Sequence, residues 1–130
     1  PKSPPYPKLA GNHAAGLDID PFGNVYFAGT AGAKAFTTPD AWKPWPSSQD
    51  GGGNAALTVL SPDLDRIQYA TMIMGSEHGK SRASHLVVTP QGVWVTGRNG
   101  SPGLPVSNAD WTSPDVRGEN DPFIIRFQFR

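Results

Sequence analysis

Three sets of side chains in this chain have types and spacings that could do chemistry. Glu77 and His78 are adjacent, a carboxylate and an imidazole that could work as an acid/base pair, or with His13 as metal ligands. A metal ion needs three or four converging donors, and only weak candidates are at hand, so solvated loop residues are the simpler reading. Asp18 and Asp20 precede Gly23 with the spacing of a calcium loop. That spacing equally suits a hairpin turn, and Val87 and Thr89 stand at the matching later positions. Trp42, Trp45 and Trp111 each offer a large flat surface and one hydrogen-bond donor, which suits a sugar ring or a protein partner. Trp42 and Trp111 also read as residues folded back over a sheet edge, which leaves Trp45, flanked by prolines, as the freest of the three. Hydrolysis by paired carboxylates would need two converging acids from Glu77, Glu119, Asp40, Asp50, Asp110 and Asp115. No Gly-x-Ser-x-Gly elbow, P-loop or His-x-x-x-His occurs, and with no cysteine there is no thiolate nucleophile, thiolate metal site or disulfide.

The elements that must position these residues are strands. AGLDIDPFGNVYFAGT, residues 15–30, returns imperfectly as SHLVVTPQGVWVTGR, residues 84–98. Each alternates small and apolar residues, breaks at Pro and Gly, and resumes as a β-branched and aromatic run, the pattern of strand, tight turn, strand. The spacing predicts strands at Gly16–Asp20, Asn24–Gly29, Asn54–Leu60 and Arg66–Met74. In the second copy it predicts Ser84–Val88, Val93–Arg98 and Asp121–Arg130. Pro21 and Gly23 suit a type I turn. Residues 30–53 and 99–120 read as long loops, of a length that usually carries function. The chain divides into a proline-rich linker or edge segment (1–11), a first unit (12–76) and a second, incomplete unit (77–130).

Fifteen glycines and fourteen prolines against 37% hydrophobic residues describe a turn-rich, all-β chain. Eleven basic and eleven acidic residues cancel, so no summed field draws in nucleic acid or an anionic membrane. No apolar run reaches the length of a membrane span. Pro1 follows no methionine, and the chain reads as processed or excerpted.

Taken in order, these pieces resemble the bacterial β-propeller repeat family called SBBP. Its G-I-A-V-D strand is matched by Gly16-Leu17-Asp18-Ile19-Asp20. Its G-N-V-Y-V-T-G turn and strand are matched by Gly23-Asn24-Val25-Tyr26-Phe27-Ala28-Gly29. Phe36-Thr37-Thr38-Pro39, Asn54–Leu60, Pro62-Asp63 and Ile67–Gly75 follow in the family's order, and Gly92–Gly97 with Asp121–Phe127 repeat part of it. Leu64 stands where the family's turn has Gly, the second unit lacks an Asn after Gly92, and Pro122 opens the last strand. The resemblance implies two propeller blades of four-stranded antiparallel sheet, the second lacking its outer strand, in a larger or oligomeric propeller. It also implies a bacterial, exported or surface-associated protein, placed outside the cytoplasm, and a scaffold rather than a reaction.

Blades pack face to face, so two blades alone leave one apolar face bare at each end. A few hundred Å² per face, at roughly 25 cal/mol per Å², withholds on the order of 10 kcal/mol, as much as a whole domain's net stability. The bare faces require either further blades of a longer chain, the preferred reading, or further copies in a ring. Alternation of antiparallel strands puts both long loops at one end, with His13, Trp42, Trp45, Glu77, His78 and Trp111, and only tight turns at the other. The expectation is a non-catalytic scaffold or protein-interaction module without a cofactor or metal, whose partners are other blades or proteins. Carbohydrate binding through the loop tryptophans, and a glycosidase or lyase sharing its site across blades, are the alternatives.

Overall fold

The computed structural model describes residues 14–31, 37–44, 54–73, 81–99 and 121–129. These residues form two antiparallel sheets and no helix. The first has four strands in sequential order, β1 (Ala14–Ile19), β2 (Val25–Ala31), β3 (Asn54–Leu60) and β4 (Ile67–Ile73). The second has three, β5 (Ser81–Thr89), β6 (Gly92–Asn99) and β7 (Asp121–Phe127). The described residues are therefore all-β, as the turn-rich composition predicts.

Pairing in the two sheets corresponds position by position. Leu17 opposes Phe27 as Leu86 opposes Val95, and Ile19 opposes Val25 as Val88 opposes Val93. Phe27 opposes Thr58 as Val95 opposes Ile125, and Val25 opposes Leu60 as Val93 opposes Phe127. Both hairpins carry a bulge at the same place, between Ala14 and Gly16 and between Ala83 and His85. A bulge adds one residue and reverses the side-chain alternation beyond it, which is why β1 and β5 run further back than the alternation predicts.

The first hairpin turns through Pro21 and Phe22, closed by Gly23 N–H donating to the Asp20 carbonyl at 3.0 Å, with Gly23 at φ 89. That is the hydrogen bond of the expected turn, followed by a left-handed glycine. Gly23 also lies against Pro62 in the β3–β4 turn, so the two tight turns of the first sheet share one end.

Residues 37–44, predicted as part of a long loop, run along the outer edge of β4 instead. Thr38 N–H donates to the Ala70 carbonyl at 3.0 Å, Ala70 N–H donates to Thr38 Oγ1 at 3.1 Å, and Met72 N–H donates to the Lys43 carbonyl at 2.9 Å. An edge strand's unpaired amides and carbonyls need partners, and this segment supplies them. Among the described residues the outer edge of β7 has no paired strand.

The core lies between the sheets. Tyr26, Ala28, Ala55, Leu57, Val59 and Ile73 from the first pack with Ala83, Val93, Val95 and Phe127 from the second, and Leu86, Val88, Phe123 and Ile125 flank them.

Candidate functional site

Three features bind the sheets and fix which surfaces remain. At the inner strands, a side chain at Gly16 would meet the Leu86 backbone nitrogen at 2.8 Å, so the backbones of β1 and β5 touch where glycine leaves room. One pleat on, Asp18 Oδ2 accepts from the Val88 N–H at 2.8 Å, while its Oδ1 accepts from Ile19 N–H. At the start of β5, the buried Ser81 hydroxyl accepts from Ala55 N–H at 3.0 Å and donates to the Ile73 carbonyl at 2.7 Å, tying β5 to β3 and β4 at once.

The third feature is aromatic. Trp42 meets Phe127 edge-on with ring centroids 6.0 Å apart, Phe129 lies 5.1 Å from Tyr69 and 6.1 Å from Tyr26, and Lys43 Nζ sits 5.5 Å over the Trp42 ring. The backbone N–H of Trp42 donates to the Tyr69 hydroxyl at 3.0 Å. Trp42 is thus held by the edge segment against Phe127, which pairs with Val93 at the tight-turn end of the second sheet and not at the long-loop end expected from the sequence. It is the one proposed binding residue within the described part of the chain. His13, Trp45, Glu77, His78 and Trp111 lie outside it, as do Asp50, Asp110, Asp115, Glu119 and the linker at 1–11.

The aspartates proposed as a calcium loop are satisfied by protein donors. Asp20 Oδ1 accepts from the N–H groups of Phe22 and Asn24, and Oδ2 from Asn24 Nδ2 at 2.9 Å and from the Tyr26 hydroxyl at 3.0 Å. Partial burial opposes its ionisation. The bonds from the Asn24 side chain, the Asn24 amide, the Tyr26 hydroxyl and the Phe22 amide outweigh that and hold it below the usual carboxylate range. Burial first, then the bond to Asp20 and its charge, push the Tyr26 hydroxyl up to about 12. Among the described residues no three His, Cys, Asp or Glu side chains cluster as a metal site.

What the seam leaves bare is a pair of faces. On the far side of the first sheet Leu17 and Ile19 are 62% and 54% exposed, and on the far side of the second Val87 and Ile124 are 49% and 64% exposed. Around Ile124 the second face has two shallow, open depressions of about 340 and 530 Å³. The smaller is walled by His85, Val87 and Trp94, and the larger by Arg98, Pro122 and Phe123. Arg126 lies 5.5 Å over the Trp94 ring on that face.

The pairing correspondence gives these faces a meaning. Leu17 and Ile19 occupy the positions of Leu86 and Val88, which pack into the seam. Ile124 occupies the position of Leu57, fully buried in the seam, and Trp94 that of Tyr26. The second sheet buries the face that the first leaves bare, and the first buries the face that the second leaves bare. Sequence reasoning expected bare faces but did not name these residues, because alternation marks two faces without saying which is covered.

No family model matches the chain, and no curated protein or solved structure is significantly similar to it. No described helix is long and apolar enough to cross a membrane.

Proposed function

We propose that this chain is a non-catalytic scaffold and protein-interaction module, two successive β-propeller blades of an exported bacterial protein that work within a larger assembly. The observation that carries this reading is the head-to-tail packing of the two sheets. Surfaces of one kind are buried in the seam and surfaces of the same kind are left bare at both ends, so the stack is built to continue. The location outside the cytoplasm is part of this proposal and follows from the family resemblance.

Sedimentation velocity of the chain tests the scaffold reading. Particles heavier than the 13.8 kDa of one chain are expected, because covering the bare faces removes apolar surface from water. A compact monomer, stable across the micromolar range, overturns it.

A further inference from the structure

Resting on the scaffold reading, we infer that the bare face of the second sheet is a docking surface for a second copy of this chain, which it receives by that copy's Leu17–Ile19 face in a head-to-tail contact. The warrant is continuity with the contact already present inside the chain. There, Leu86, Val88, Val93, Val95 and Ile125 of the second sheet lie against Tyr26, Ala28, Leu57 and Val59 of the first. By register, the first group corresponds to Leu17, Ile19, Val25, Phe27 and Thr58, the far face of the first sheet. The second group corresponds to Trp94, Thr96, Ile124 and Arg126, the far face of the second. The two bare faces are therefore the two halves of one kind of contact, and neither is the partner of itself. Such a contact is heterologous: one copy's first face meets another's second, and the stack keeps one free face of each kind, one at either end, until it closes.

Exposure agrees with this assignment, Ile124 and Val87 being 64% and 49% exposed on the far face of the second sheet as Leu17 and Ile19 are 62% and 54% exposed on the far face of the first. Several positions differ from the seam inside the chain, Arg126 standing for Val59 and Thr96 for Ala28 among them, and two more remove contacts that the seam has. His85 stands where Gly16 lets backbones touch, and Val87 where Asp18 accepts the Val88 N–H. The contact between copies therefore lacks that close approach and that hydrogen bond, and is weaker and more readily reversed than the seam.

The test is a mixing experiment on the full chain, read by sedimentation velocity. One variant carries Leu17→Glu with Ile19→Glu and the other Ile124→Glu. Each alone is expected to lose the heavier species of the wild type. Mixed, they are expected to form a one-to-one heterodimer through the single pair of intact faces. Phe22→Glu, 83% exposed on the tight-turn end and off both faces, is expected to assemble as the wild type does. Retention of the wild-type mass by either face variant alone, a mixture that stays monomeric, or loss of assembly in Phe22→Glu overturns the inference while leaving the scaffold reading in place. A wild type that is itself monomeric overturns both. If the glutamate variants lose their β-sheet circular dichroism, threonine at the same positions, which keeps strand propensity, is read in their place with the same expectations.

Discussion

The carboxylate of Asp18 accepts a 2.8 Å hydrogen bond from the backbone N–H of Val88, 70 positions along the chain and in the other sheet. Among the described residues β5 lies at the edge of its sheet, with no strand on that side for this amide to pair with, and Asp18 takes the place of a ladder acceptor. Asp18→Ala should leave the Val88 amide without its partner in a part-buried seam and cost about 1–3 kcal/mol. Asp18→Asn keeps an acceptor and should cost less. Urea denaturation followed by tryptophan fluorescence separates the two. Equal stability of Asp18→Ala and the wild type would show that the seam does not depend on this bond.

The same residue marks what the sequence makes legible. Alternation locates every described strand, and β3 at Asn54–Leu60 has the predicted bounds, because a central strand of apolar residues leaves little choice of ends. The starts of β1 and β5 were misplaced because the bulges at Ala15 and Ser84 break the two-residue period, and a period-based reading stops where the period does. Residues 37–44 read as loop because what holds them is tertiary, with Thr38 bonded to Ala70 across 32 positions. Leu17 and Leu86 look alike in their local windows, yet one is exposed and the other packs in the seam. Only the stacking of one sheet on the other distinguishes them. The proposed binding residues other than Trp42 fall outside the described residues, and their roles rest on the sequence.

Leu64 should be replaceable at a gain. It sits at φ 62 in the β3–β4 turn, half-exposed, with its N–H donating to the Ser61 carbonyl at 2.9 Å. The left-handed conformation costs an L-residue roughly 1–2 kcal/mol. Glycine adopts it freely but loses about 0.5–1 kcal/mol more in chain entropy on folding. Leu64→Gly should therefore stabilise the protein by about 0.5–1 kcal/mol and raise Tm by a few degrees, whereas Leu64→Val, β-branched in the same conformation, should lower it. Calorimetric scans of the two variants check the sign, and a lower Tm for Leu64→Gly would mean that the leucine side chain contributes packing that outweighs the backbone relief.

The Asp20–Tyr26 pair should limit stability at both ends of the pH range. Asp20 is held below its unfolded value, so its contribution is complete above the ordinary carboxylate pKa of about 3.9 and is lost as pH falls through the lower folded value. Tyr26 is shifted the other way, up to about 12, so its contribution is complete below the ordinary tyrosine pKa of about 10 and is lost as pH rises towards the folded value. Between those limits neither group changes its protonation in either state, and the stability they confer should be flat. Tyr26→Phe removes the hydroxyl that donates to Asp20 at 3.0 Å, but Asn24 still donates to the same oxygen at 2.9 Å. The expected loss near neutral pH is accordingly about 1 kcal/mol, and the alkaline decline should become shallower. Asp20→Asn should flatten the acid limb in the same way. Denaturation midpoints measured from pH 2 to 12 for the three proteins decide the matter. An alkaline limb unchanged in Tyr26→Phe would assign that limb to other groups and remove Tyr26 from the account.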